Sequence, residues 1–441
     1  MSSILPNTIE GLRRALRAGD VTLPEAIRAQ QQRFQVLGAS TRCVVTELTP
    51  HSLESSANAA LSGVALAHKD IFDLSGWRPG LGRDRGALTP GLTQAAVLSR
   101  LDEAGAINLG TLAMAEDACS ATGQTDHLPT PLNPLGHDLA VGGSSSGSAV
   151  AVASGMVYAS LGTDTAGSVR IPAMTCGVMG LKTTHGLIDR QGMTLLSPSL
   201  DSIGLLARSV DDLSCVLGLL APELAWHSAV STGLPRMGYW LENTEVDSYV
   251  RNVIGPVMAH YSQRHIEIGT LERRASALQE LMMAFEVGQT HRQRIADGLA
   301  CRQVMGLGSF GLTVPQSWWV QALSQRVECL AAFVDAVFGE VDVLLAPLQT
   351  GVLPKTFEVY LGQPGFESAK LLGLHRYAGW VNYLGLPALC LPVGFGPDGL
   401  PVSIQLISKP FHEPHLLLAA RQIQTDLHGE HGIMPTQGHR S

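Results

Sequence analysis

Charge is scarce in this chain: only 15% of its 441 residues are Asp, Glu, Lys or Arg. A disordered or solvating role needs the opposite composition, so a chain with 45% hydrophobic residues is expected to bury a large core. Basic excess is missing too, since 30 Lys and Arg face 38 Asp and Glu, for a net charge of -8. That excludes a basic face for nucleic acid and a polybasic patch for a membrane surface. Cysteines are few and unpaired: 43, 119, 176, 215, 301, 329 and 390 are scattered and form no Cys-x-x-Cys. They read as reduced thiols of a cytoplasmic protein, with no disulfide framework, metal cluster or cofactor expected. The N-terminus MSSILPNTIEGLRRAL lacks a long apolar run, so no signal peptide is expected. Leu139 to Thr163 is free of charge but too rich in Gly and Ser for a membrane span. No linker is long enough to divide the chain, and one large domain over 1–441 is expected.

What the sequence does contain is concentrated between Gly142 and Pro172, GGSSSGSAVAVASGMVYASLGTDTAGSVRIP. Gly142, Gly143, Ser144, Ser145, Ser146 and Gly147 form a loop that lets backbone approach backbone, and Ala149 to Ala153 are helix formers just after it. Met156 to Leu161 read as a buried strand, which leaves through Gly162 to Gly167 and delivers Ser168 on a sharp turn. Pro172 marks a new helical turn, so the amides of Thr165, Ala166, Gly167 and Ser168 can converge on a developing oxyanion. Gly/Ser strings are ordinarily linkers, but apolar helix and strand patterns clamp this one on its C-terminal side.

A second informative stretch is VALAHKDIFD, where Val64 to Ala67 read as a short buried strand ending at His68, Lys69 and Asp70. Lysine there either snorkels to the surface or is paired or neutral. His68 is a rival base in a Ser-His arrangement, although neighbouring strand residues point to opposite faces and only one of the two can reach a common site.

The patterns G-G-S-S-S-G-S and G-T-D-T-A-G-S-V-R-I-P resemble the amidase signature family of serine hydrolases, which cleave carboxamides with a Ser, Ser, Lys triad. The resemblance implies one large α/β/α domain with a mixed central sheet covered by helices. It implies Ser168 as nucleophile, Ser144 as bridging serine in a cis peptide after Gly143, Lys69 as distal base, and Ser145 and Gly143 in support. It extends through Met114 and Glu116, Asn133-Pro134, the Cys176 to Lys182 run, and Ser199 to Leu213. Ala113, Leu139, Val141 and Ala166 depart from the usual residues. An alanine at 166 is strained if that position needs a positive φ and harmless otherwise.

Asp201, Arg208 and Asp212 read as structural charges. Asp164 and Arg170 read as an ion pair, with Arg170 as a substrate-carboxylate clamp left open. The match is strong over 60–212, fades over 222–340, where the family builds much of its acyl pocket, and returns over 341–426 around Asn382, Gly385 and Gln405. Gln316 to Phe338 is a long helical pattern, with Trp318 and Trp319 expected in the core. The resemblance implies release of ammonia or an amine from a small carboxamide through an acyl-enzyme on Ser168. The alternative is the A subunit of a tRNA-dependent amidotransferase, which passes ammonia to a partner. A homodimer is admitted as the assembly, with no direct nucleic-acid contact.

Overall fold

Two helices open the chain, each started by the cap its sequence provides. Thr8 accepts the Gly11 amide at 3.1 Å ahead of Ile9–Ala18, and Glu25 accepts the Thr22 amide at 2.9 Å at the start of Leu23–Thr41. These features come from a computed structural model that describes residues 5–49, 59–83, 86–224, 233–241 and 245–428.

A small three-stranded sheet follows. Its strands are β1 (Val44–Glu47), β2 (Ala65–Lys69) and β5 (Ile107–Leu112), in the order β1-β5-β2, with β2 and β5 parallel. A separate ribbon pairs β3 (Trp77–Arg78) with β4 (Ala87–Leu88). The main sheet is built from β6 (Ala159–Asp164), β7 (Met179–Lys182), β8 (Ser202–Ala207), β9 (Met237–Tyr239), β10 (Val343–Pro347), β11 (Ala388–Phe395) and β12 (Pro401–Ser408). Its order is β6-β8-β7-β11-β12-β10-β9, antiparallel throughout except for the β10–β9 pair. The two sheets meet at β6, where the Ser160 hydroxyl donates to the Ala67 carbonyl at 2.7 Å and the Leu161 amide donates to His68 Nδ1 at 3.1 Å.

The fold is thus mixed α/β, with a large mixed sheet covered by helices. One apolar cluster runs from Leu5 to Ile423, so both ends of the described chain share a core. Among the described residues, no helix is long and apolar enough to cross a membrane.

Some boundaries differ from the sequence reading. The strand expected over Met156 to Leu161 is β6, three residues later, because Gly155 (φ 73) ends the preceding helix in a left-handed turn that consumes Met156 and Val157. The helix begins at Ser146 rather than Ala149, inside the glycine-serine loop. Strand β5 was not read from the sequence, because Asn108 and Gly110 break its apolar pattern. Helix Gln316–Phe338 lies where expected, but Trp318 is 56% exposed, and only Trp319 packs inward, stacked on Phe285 with Nε1 donating to Glu286 at 2.9 Å.

Candidate active site

The C-terminal ends of β2 and β6 and the loop before helix Ser146–Ala153 converge on one point. Lys69 closes β2 at 1% exposure. Its Nζ lies 2.7 Å from Ser144 Oγ and 2.7 Å from Thr163 Oγ1, the latter on β6. An amine held by two hydroxyls and no carboxylate loses hydration without gaining a counter-ion. Burial pulls the Lys69 amine down to about 7, against Asp201 and Asp164, which pull it up.

Ser144 is fully buried and follows a cis peptide bond from Gly143. Only glycine fits at 143, since a Cβ there would lie 2.4 Å from the Gly123 nitrogen and 2.7 Å from the Ser120 carbonyl oxygen. The Ser144 carbonyl accepts the Ala115 amide at 3.1 Å. Next to it, the Ser145 amide donates to the Ser168 carbonyl at 3.1 Å, while Ser145 Oγ bonds the Thr163 backbone at 3.3 Å. The loop of one serine is therefore laced to the turn of the other. Ser168 is the most accessible of the three at 9%, against 0% for Ser144 and 1% for Lys69.

Asp164 organises the turn that carries Ser168. Its carboxylate accepts the amides of Gly167 at 2.9 Å and Val169 at 3.1 Å, and two donors of Arg170 at 3.1 and 3.0 Å. Burial works to raise the Asp164 pKa, but Arg170, Lys182 and Asn382 overcome it and hold the carboxyl well below the usual range. Because Asp164 takes the Gly167 amide, the four-amide oxyanion cradle read from the sequence has one donor fewer at this turn. The amides of Thr165, Ala166 and Ser168 are not among those Asp164 takes. Ala166 is not among the positive-φ residues, so its methyl is harmless; the left-handed position is Gly167 (φ 110).

The Arg170 side chain is fully enclosed. Besides Asp164, its guanidinium reaches Gln405 at 2.9 Å, the Ala378 carbonyl at 3.0 Å and Asn382 at 2.7 Å, at 0% exposure. It is a hub joining the Ser168 turn to the 341–426 segment, and the ion pair with Asp164 read from the sequence is present. His68 is engaged elsewhere: its Nδ1 lone pair already accepts the Leu161 amide of β6, and burial pushes its pKa down to about 3. Asp201, Arg208 and Asp212 hold loops: Asp201 accepts the amides of Leu196 and Ser197, Arg208 donates to the carbonyls of Val152 and Val157, and Asp212 accepts the Ile9 amide.

Two site residues were not singled out from the sequence for these contacts. Thr163, read as loop, is the second partner of Lys69, and Asp201 also accepts Thr165 Oγ1 at 2.6 Å. The signal for Thr163 is its β-branched hydroxyl two positions after Leu161 on the same strand face.

Glu116, Asp117 and Cys301 present ligand-type atoms within 4.8 Å of one another. Arg83 and Arg294 pair with the Asp117 carboxylate, which opposes a cation there. A cavity of about 810 Å³, lined by Glu245, Asp247, Thr350, Leu353, Lys370 and Arg376 among others, has none of the three candidate residues in its wall.

The family model described as Amidase matches residues 25–244 and 266–417. The chain belongs to the amidase family. The A subunit of the Glutamyl-tRNA(Gln) amidotransferase of Geobacter sp. (strain M21) is 30% identical over 487 residues, covering 95% of this chain and 97% of that protein. A crystal structure of an amidase aligns with TM-score 0.81 at 26% identity, over 95% of this chain and 100% of the other. A chain from a vestigial protein complex linked to the evolutionary origins of an s-triazine catabolic enzyme aligns with TM-score 0.84 at 24% identity, over 95% and 98%, and shares the fold.

Proposed function

We propose that the chain cleaves a carboxamide C–N bond through an acyl-enzyme on Ser168, with Ser144 as proton relay and Lys69 as base. The observation that carries this reading is a buried amine, drawn down to about 7, 2.7 Å from the Ser144 hydroxyl. An amine near that value is neutral for part of the population at neutral pH, which makes it a usable general base. Lys69 accepts the Ser144 proton while Ser144 accepts that of Ser168, and Ser168 Oγ attacks the carbonyl carbon. Amides of Thr165, Ala166 and Ser168 take the negative oxygen. On collapse, the C–N bond breaks, the relay returns its proton to the leaving nitrogen, and Ser168 holds an ester. Water, deprotonated by the same relay, then releases the acid and restores the Ser168 hydroxyl.

The destination of the ammonia separates two readings. Free-standing hydrolysis of a small linear amide is one. The other, the glutaminase component of a tRNA-dependent amidotransferase, is favoured by the relative from Geobacter sp. (strain M21), which is named as an amidotransferase component and aligns along nearly its whole length. Ammonia release is to be measured from glutamine and from a panel of aliphatic, aromatic, malonyl and urea-type amides. Turnover of a panel amide by the chain alone supports the first reading, and glutaminase activity that appears only with added amidotransferase components supports the second. Ser168→Ala is expected to abolish either activity while leaving thermal unfolding unchanged; surviving turnover would discard the nucleophile.

A further inference from the structure

The turn at 115–118 lies against the bridging serine, and its backbone is unusual. Asp117 (φ 51, ψ 22) and Ala118 (φ 60) are consecutive left-handed residues, neither of them glycine. Side chains with a Cβ disfavour that region, with Asp among the few that tolerate it. Backbone bonds support the turn: the Asp117 amide donates to the Leu81 carbonyl at 2.9 Å and the Ala118 amide to the Ala115 carbonyl at 3.0 Å.

The stronger restraint is the Asp117 carboxylate, 1% exposed, which pairs with Arg83 through one oxygen and with Arg294 at 2.5 Å through the other. Arg83 comes from the 60–212 segment and Arg294 from helix Arg292–Ala296 in the 222–340 segment, so the clamp ties the two together. A carboxylate this buried is costly unless both oxygens are met, so each guanidinium is needed to keep the turn shut.

Two residues before Asp117, the same strap is sewn to the relay loop. The Ala115 amide donates to the Ser144 carbonyl at 3.1 Å, the Gly147 amide to the Ala113 carbonyl at 2.7 Å, and Ser146 Oγ to that carbonyl at 3.3 Å. No slack separates the clamp from the serine. We infer that Asp117, clamped by Arg83 and Arg294, is a positioning residue for the Ser144 relay. The inference rests on the proposed reading of Ser144 and goes beyond it by making relay alignment depend on an ion-pair clamp.

A misaligned relay harms an amide more than an activated ester. The amine must be protonated as it leaves, whereas p-nitrophenolate departs without help. A merely structural residue, by contrast, lowers both reactions together. The test compares butyryl p-nitroanilide with p-nitrophenyl butyrate, alongside thermal unfolding and labelling of Ser168 by an organofluorophosphonate. Asp117→Asn keeps the volume and the tolerance of positive φ but removes the charge. It is expected to lower the anilide kcat about tenfold with KM within about twofold and the ester kcat within about twofold. Asp117→Glu, which restores the charge, is expected to recover most of the loss. Arg294→Gln, part-exposed and leaving the Arg83 pair in place, is expected to show the same selective loss at about threefold, and keeps the test valid if Asp117→Asn fails to fold. Anilide and ester rates that fall by one factor, or do not fall, overturn the inference. If the unaltered protein cleaves neither probe and Ser168 escapes labelling, the reading of the site itself falls, and this inference with it.

Discussion

Two lysines close two strands of this molecule, and their surroundings separate the proposed base from a brace. Lys69 ends β2 and Lys182 ends β7; both are essentially unexposed, and burial pulls both amines from 10.5 to about 7. Protonation energetics alone do not tell them apart. Their partners do: Lys69 meets the hydroxyls of Ser144 and Thr163, while Lys182 donates to the carbonyls of Thr183 at 2.9 Å and Leu386 at 2.8 Å. A hydroxyl can reverse its bond and hand over a proton; a carbonyl can only accept. A depressed lysine pKa is therefore a sign of burial first and of catalysis only where the partner can also donate.

Breaking each lysine in turn gives the largest expected effect. Lys69→Ala should cost about 10⁴-fold in amide turnover, the scale seen when one member of a catalytic unit is removed, with thermal unfolding little changed. Lys182→Met should do the reverse. It leaves two buried carbonyls without donors, which costs about 1–3 kcal/mol of stability, and kcat should stay within about threefold. Paired rate and unfolding measurements on both variants decide the matter, and comparable losses of turnover would erase the distinction drawn between the two sites.

Dependence on pH sharpens the same contrast. A base must be neutral to accept a proton, so kcat/KM should rise with pH through about 7 and level off above it. For stability, each lysine has a folded pKa below its unfolded one. Between about pH 7 and 10 the unfolded chain binds protons that the folded chain does not, so stability climbs with pH across that window and the penalty is full below it. Lys182→Met should flatten part of that climb yet leave the kcat/KM midpoint in place. A rate profile that shifts in Lys182→Met would assign the titration to the wrong amine.

Much of the candidate site was legible because its residues are local in sequence. Ser144, Ser168 and the turn between Gly162 and Gly167 lie within one short stretch, and Lys69 stands where an apolar strand runs out. Caps at Thr8 and Glu25 and the helix Gln316–Phe338 follow from spacing alone. What stayed hidden depends on contacts between distant residues. Arg83 and Arg294 reach Asp117 across 34 and 177 positions, and nothing near Asp117 announces either. The loss of the Gly167 amide to Asp164 depends on how a three-residue turn folds back. Trp318 belongs to an aromatic pair in an apolar helix, yet only the packing of its neighbours decides which ring faces solvent.

The smallest effect is expected beside the largest, one residue before Lys69. His68 is as buried as its neighbour, but its Nδ1 is already taken, accepting the Leu161 amide at 3.1 Å. With that lone pair occupied and its pKa pushed down to about 3, the ring has no nitrogen free to draw a proton from either serine. His68→Ala should therefore leave amide kcat within about threefold, while the orphaned Leu161 amide and the vacated volume lower stability by about 1–3 kcal/mol. His68→Asn, which offers an oxygen close to the position of Nδ1, should recover part of that stability and change the rate no further. Turnover that collapses in both variants, with Lys69→Ala only mildly affected, would hand the role of base to the histidine and make the lysine the brace.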